Sequence, residues 1–331
     1  MKKRWRAVVV THTDLGGVAA AAIYHRGRGL EPFVDTAVLF TEPHRLPKTL
    51  KSLKPGSTER LALMDLGPND DTIAGIYTAL DRLVKSGVYV EWFDHHRWRD
   101  EWLAAVRGSG ASVYIDHSTC AAGVVASRVA AGDEFSQRLA AAACAADLWR
   151  WDDPMAGRLY RVTERYRGRR GDAWRRSMLS NFYQGLLWWS ELDEALMEYL
   201  AKEFESFNDA LKTVKIRAAG GCRFAVALKK PGPPNASIIA SGIMSRFNVD
   251  FVAIIRRRGS RGISLRSRSV DVRLVAQWLG GGGHPRAAGA PLKAPWYMRL
   301  LFTLLPGMKL RWAERLLADV LEEKGCPRLQ E

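Results

Sequence analysis

Cysteine is scarce in this chain: four in 331 residues, at positions 120, 144, 222 and 326, with no CxxC pair among them. That spacing excludes a thiolate zinc site and argues against a disulfide framework, so buried reduced thiols are expected. Long apolar runs are missing as well. None reaches the roughly eighteen residues of a spanning helix, and the opening stretch meets His12 and Asp14 too early for a secretory leader. The expectation is a cytoplasmic protein with no stable membrane association. No repeat period organises the chain, which excludes solenoids. Acidic residues are in deficit, 35 Asp and Glu against 50 Lys and Arg, for a formal net charge of +15. With twelve Trp, that excess points to a polyanionic partner, because cations attract phosphate and aromatic rings stack on bases. A hot habitat is the competing cause of such charge. What is present, 47% hydrophobic residues over this length, supports about two globular domains.

The run Arg6 to Val10 is apolar and β-branched, stops at Thr11-His12-Thr13-Asp14, and is followed by a glycine pair and the helix-like Val18 to Ile23. This reads as strand, tight turn and helix. Further apolar runs stop at carboxylates: Leu61 to Met64 at Asp65, Val88 to Phe93 at Asp94, and Ser112 to Ile115 at Asp116. Helical patterns such as Thr72 to Lys85 lie between them, the signature of a mainly parallel sheet with helices on its faces. Ligands of such sheets bind outside the carboxyl ends of the strands, where these acids would converge.

From Trp149 to Arg176 nine arginines stand against four acids. With Trp149, Trp151, Tyr160, Tyr166 and Trp174 interleaved, this stretch would guide a nucleic-acid backbone, or else form a solvated helical face. Ser190 to Lys215 reads as one long amphipathic helix. A second α/β unit follows, with strand Phe224 to Leu228, a helix near Ser237 to Arg246, a hairpin of Phe251 to Arg256 and Gly262 to Arg266, and a helix Val270 to Leu279 that runs into four glycines and His284. The tail is helical, and its apolar side, Trp296, Leu300, Leu301, Leu304 and Leu305, is expected to pack on the second domain.

Five of seven histidines, His12, His95, His96, His117 and His284, sit beside carboxylates or glycine runs at element ends, while His25 and His44 stand elsewhere. Asp14, Asp65, Asp94 and Asp147 with His12 and His95 mix hard oxygens and imidazole nitrogens, a donor set suited to Mn²⁺. One carboxylate reaching two ions about 3.5–4 Å apart would let them generate hydroxide and neutralise the charge developing on a phosphodiester.

Thr11 to Gly17, Leu63 to Gly67, the triplet Asp94-His95-His96 and Asp147, in that order, resemble the motifs of the DHH phosphoesterase superfamily. Leu265-Arg266-Ser267, Gly280 to His284 and Ala287-Ala288-Gly289 are similar to the signature of its DHHA1 branch, which includes RecJ-like exonucleases and nanoRNases. The resemblance implies an α/β fold: a mainly parallel DHH catalytic domain over 1–189, a linker helix over 190–215, a smaller α/β DHHA1 substrate domain over 216–291 and a helical tail over 292–331. It implies that His12, Asp14 and Asp65 hold one metal and that Asp65, His95 and Asp147 hold a second. His96 would face the scissile phosphate and Asp94 would orient the histidines. Arg266, Gly281, Gly282, Gly283 and His284 would grip the phosphate or base at a chain end. The implied activity is hydrolysis of short oligonucleotides or single-stranded nucleic acid by metal-activated water, with one or two Mn²⁺ ions and Mg²⁺ as the alternative.

One position departs from the pattern. Gly16 stands where the first motif usually carries a second aspartate for the second metal. Water, Asp152 or Asp153 would have to fill that place, and a glycine pair in the left-handed region would resist a carboxylate there. The alternative function is a catalytically impaired, nucleic-acid-binding scaffold of a replication or repair complex.

Overall fold

The computed structural model describes residues 4–166, 168–257 and 262–329; Arg167, counted in the basic stretch, lies outside them. The chain divides into two units, Met1–Leu196 and Met197–Glu331.

The first unit alternates strand and helix: β1 (Trp5–Thr11), α1 (Leu15–Arg28), β2 (Thr36–Phe40), α2 (Leu46–Ser52), β3 (Thr58–Met64), α3 (Ile73–Lys85), β4 (Tyr89–Asp94), α4 (Asp100–Gly108) and β5 (Ser112–Ile115). The helices α5 (Ala121–Val129), α6 (Glu134–Asp147), α7 (Ala156–Thr163) and α8 (Gly168–Tyr183) follow, and α9 (Ser190–Leu211) contains the division between units. All five strands are parallel, in the order β2-β1-β3-β4-β5, so every strand delivers its C-terminal loop to the same edge. Leu15 to His25 of α1 are all buried, as its alanine-rich sequence requires of a helix apolar on every side. It packs on one sheet face with residues of α5, α6 and α8. Leu46 and Leu50 of α2, and Ile76, Leu80 and Leu83 of α3, cover the other face. Asp14 caps α1, its Oδ1 accepting the Gly17 amide at 3.0 Å, and Gly29 ends the helix in the left-handed region at φ 59°. Glu91, buried in mid-strand, is held by the Tyr24 hydroxyl at 2.9 Å, Arg28 at 2.5 Å and Arg60 at 2.6 Å, which fixes α1 against β3 and β4.

The second unit is built from β6 (Lys215–Ala219), β7 (Cys222–Lys229), α10 (Ala236–Phe247), β8 (Phe251–Arg256), β9 (Gly262–Ser267), α11 (Val272–Trp278), β10 (Gly282–His284), β11 (Ala287–Pro291), α12 (Trp296–Leu304) and α13 (Pro306–Lys324). Its sheet order is β10-β11-β9-β8-β7-β6, with only β7 and β8 parallel. Two expectations are overturned here. The apolar tail residues Trp296, Leu300, Leu304 and Leu305 face solvent; Phe302 and the α13 residues Leu310, Ala313, Leu317 and Leu321 make the packing instead. The cysteines are also not free thiols: Cys120 pairs with Cys144 and Cys222 with Cys326, their Cα atoms 5.1 and 5.2 Å apart. Sequence spacing hid both pairs, since the partners come from different elements brought together by the fold. No described helix is long and apolar enough to cross a membrane.

Candidate metal centre

The ends of β1, β3 and β4 and the last turn of α6 bring His12, Asp14, Asp65, Asp94, His95, His96 and Asp147 together. Asp65 lies at the centre, 2% exposed. Its Oδ2 is 3.9 Å from His12 Nδ1, which is itself 2.8 Å from Asp14 Oδ2. Its Oδ1 is 3.4 Å from His95 Nε2, which stands 3.3 Å from Asp147 Oδ2. One carboxylate thus turns one oxygen to each of two donor sets. The backbone holds Asp65 at φ 60°, a left-handed conformation that Asp tolerates better than most residues.

Asp65 Oδ2 and Asp147 Oδ2 are buried without a hydrogen-bond partner among the described residues. Buried carboxylate oxygens are costly to leave so, and a cation beside each, one in either donor set, would remove the cost. His12, Asp14 and Asp65 have ligand atoms mutually within 4.8 Å, and so do Asp65, Asp94, His95 and His96. The donors fit one or two divalent ions. Asp94 is already engaged, accepting from His96 Nδ1 at 2.7 Å and Trp98 Nε1 at 2.6 Å, so both of its oxygens are tied to neighbouring side chains.

The electrostatics describe a site short of positive charge. Burial, then the charges of Asp65 and Asp14, push the Asp147 carboxyl up to about 7. Burial and Asp14 raise Asp65 in the same direction. Burial works against a charged His12, but the Asp14 carboxylate and hydrogen bonds to Asp14 and Glu42 overcome it and lift the imidazole to about 11. Burial likewise opposes charge on His96, and Asp94 outweighs it, raising that imidazole to about 9.

Glu42 belongs to this site, although sequence reasoning missed it. It follows β2, a strand also missed, and places Oε2 3.3 Å from His12 Nε2 and Oε1 2.7 Å from the Thr13 hydroxyl. The hydrogen bond from His12, ahead of that from Thr13, lowers its carboxyl to about 2. The signal was available, since Ala37 to Phe40 is another apolar run stopping two residues short of an acid. Arg175, buried on α8, donates from Nε to the Thr13 carbonyl and anchors the same loop.

Other expectations fail. Asp116 is a turn former, accepting from the Ser118 amide at 2.8 Å and hydroxyl at 2.6 Å. Asp153 is taken by Arg138 at 2.6 and 3.2 Å and Asp152 by Arg150 at 3.2 Å, so neither replaces the missing carboxylate. Gly16 is outside the left-handed region, and a Cβ there would lie 2.6 Å from Asp65 Oδ2 and 3.5 Å from Asp14 Oδ1. The position points into the site, as the resemblance implied, and presents only hydrogen there. Of the stacking candidates, Trp151, Tyr160 and Trp174 pack against the core, Trp149 and Trp151 meet edge to face at 4.7 Å, and Tyr166 and Trp174 meet edge to face at 5.7 Å, so they form no open row of ring faces.

In the second unit Arg266 pairs in register with Ala287, and Ala287 with His284, placing Arg266 and His284 on one cross-strand row. Arg266 donates from Nε to Ser237 Oγ at 2.7 Å. The glycine run is partly strand, not an open loop. A Cβ at Gly281 would meet the Gly289 carbonyl at 2.1 Å and one at Gly283 the Ala288 Cα at 2.6 Å, while Gly282 faces open space. Gly281 and Gly283 therefore serve the close approach of β10 and β11.

Residues 223–301 match the DHHA1 domain family. No curated protein matches the chain. Among solved structures it is similar to the exonuclease RecJ bound to manganese, at 19% identity and a TM-score of 0.54, over 97% of this chain and 92% of that one. It is also similar to the pGpG-specific phosphodiesterase PggH of Vibrio cholerae, at 14% identity and 0.57, over 91% and 98%. A third is an exopolyphosphatase-related protein of Bacteroides fragilis, at 13% and 0.52, over 97% and 93%. Likeness at such identity concerns the fold: a parallel α/β unit followed by a second sheet unit, the one that matches the DHHA1 family.

Proposed function

The chain has the DHH–DHHA1 architecture, and on that premise we propose that it is a Mn²⁺-dependent phosphodiesterase acting on short oligonucleotides or single-stranded nucleic acid. The observation that carries this reading is Asp65, with one oxygen toward His12 and Asp14 and the other toward His95 and Asp147. A divalent ion held there supplies Lewis acidity, lowering the pKa of water and offsetting charge on phosphoryl oxygens. The protein's own groups do the rest. His12, Asp14 and Asp65 form one donor set, and Asp65, His95 and Asp147 the other. Asp94 fixes the Nδ1 proton of His96, so Nε2 is the atom free to donate to a phosphate or leaving-group oxygen. Arg266 and His284 supply donors for the phosphate or base at one end of the substrate, with Gly282 leaving room beside them.

The RecJ structure contains manganese and the PggH relative is named for pGpG cleavage; both support the reading by analogy of fold. Gly16 favours a second one, a nucleic-acid-binding scaffold, because the second donor set lacks a carboxylate there. Metal content after loading with Mn²⁺, together with hydrolysis of a labelled oligonucleotide series, separates the two. Bound Mn²⁺ with chelator-sensitive turnover supports the enzyme, whereas oligonucleotide binding with no turnover at any length or Mn²⁺ concentration supports the scaffold.

A further inference from the structure

A cavity of about 730 Å³ in the first unit is bounded by Val38, Leu39, Phe40 and Thr41 of the β2 segment, by Arg45, Lys48, Thr49 and Ser52 at α2, and by Asp172 and Arg176 of α8. Its position is informative. β2 is the edge of the sheet, and beyond the bridge from Thr36 to Pro32 its outward side pairs with no strand among the described residues. Thr41 is followed directly by Glu42, whose carboxylate holds His12 and Thr13. Arg176 is preceded directly by Arg175, which holds the Thr13 carbonyl. Two walls of the cavity therefore continue, one residue on, into contacts with the metal-site loop.

Its chemistry is that of a polyanion track. Arg45, Lys48 and Arg176 are exposed, and no carboxylate of the described residues lies within ion-pair distance of them. The single acid of the lining, Asp172, faces the buried Arg175 at 3.4 Å. The guanidinium of Arg176 lies over the Phe33 ring, 4.6 Å from its centroid, which holds the charge in place at the rim. Val38 and Phe40 provide an apolar floor, while the hydroxyls of Thr49 and Ser52 are spent within α2, Thr49 donating to the Arg45 carbonyl at 3.3 Å and Ser52 to the Thr49 carbonyl at 2.7 Å, so the cations carry the polar recognition. Cations on a rim above an apolar floor suit a single strand, with phosphates outward and bases inward.

We propose that this groove binds the phosphodiester chain of a substrate strand beyond the nucleotide at the metal centre. The identity of the ligand rests on the phosphodiesterase reading; the cationic groove stands on its own geometry. The test is fluorescence anisotropy with the full chain in EDTA, where no turnover confuses binding, using a labelled dinucleotide and a 12-mer of the same sequence. In the Arg45→Ala/Lys48→Ala/Arg176→Ala variant the Kd of the 12-mer should rise about tenfold and that of the dinucleotide less than twofold. The slope of log affinity against log salt should shrink by about 2, as expected when three cations cease to displace counterions from a single strand. Arg45→Lys/Arg176→Lys should restore most of the loss, which a merely structural role would not. Unchanged 12-mer affinity, an equal loss for both lengths, or an unaltered salt slope would overturn the groove. The phosphodiesterase reading fails separately, if the unmodified chain in Mn²⁺ cleaves nothing.

Discussion

Asp94 Oδ1 and His96 Nδ1 lie 2.7 Å apart, and the other oxygen of the same carboxylate takes the Trp98 indole at 2.6 Å. One buried acid therefore sets both the direction and the protonation of the triplet's last histidine. Asp94→Asn should lower turnover about 10- to 100-fold while leaving bound metal nearly unchanged. Paired kcat and metal-content measurements check this, and a parallel loss of metal would make Asp94 a ligand instead.

Asp65 combines the shared carboxylate with a left-handed backbone, φ 60°. Both Asp65→Asn and Asp65→Ala should abolish activity and reduce metal binding. Only the alanine variant should also lose about 1–2 kcal/mol of stability, because Asn tolerates this conformation and Ala does not. Denaturant melts of the two metal-free variants, side by side, reveal the difference.

Gly16 is expected to leave the two metal positions unequal, the one at His95 and Asp147 filling only at higher Mn²⁺. Gly16→Asp should even them out and lower the Mn²⁺ needed for activity, provided that Asp65 yields to the new Cβ 2.6 Å from its Oδ2. Calorimetric titration of Mn²⁺ into both proteins decides it. Two equal, tight sites in the unmodified chain would sink the expectation.

His25 lies fully buried on α1, its ring nitrogens at 2.6 Å from the Ala21 carbonyl and 2.7 Å from the Thr36 hydroxyl. Burial pushes its pKa down from 6.5 to about 4. The unfolded chain takes up this proton first, so stability from His25 is whole above pH 6.5 and declines toward pH 4, by at most about 3 kcal/mol. Urea melts across that window should show a shallower slope for His25→Gln than for the unmodified chain.

The disulfide Cys222–Cys326 spans 104 residues and Cys120–Cys144 spans 24. By loop-closure entropy the first contributes about 5 kcal/mol and the second about 3. Replacing each pair by alanine should rank the melting temperatures in that order, and thiol titration without reductant should find none free.

The legible parts of this molecule were those where chemistry and position coincide. Asp65 and Asp94 follow apolar β-branched runs, and a parallel sheet sends every such end to one edge, so the gathering of these acids at a candidate metal centre could be read before any distance was known. Glu42 obeys the same rule but follows the short run Ala37 to Phe40, between segments with stronger patterns. Asp116, Asp152 and Asp153 show the converse: an acid near a strand end is as readily spent on a turn or an arginine, and only the local hydrogen bonds decide. The tail's apolar stripe misled because helical periodicity reveals that a face exists, not which neighbour meets it. The disulfides depend on tertiary proximity alone.

The carboxylates Asp14, Glu42, Asp65, Asp94 and Asp147 gather at one place in a chain whose formal net charge is +15. On the proposed reading, such a chain would draw a polyanion in at long range, while the unfilled cluster of acids would weaken its hold at the candidate metal centre. Cations that neutralise the cluster would reconcile the two effects, and that reading implies an order of events: metal before phosphate. A strand held by the basic surface of the metal-free protein would then be bound but not positioned for reaction, and ion concentration would govern the step from binding to hydrolysis.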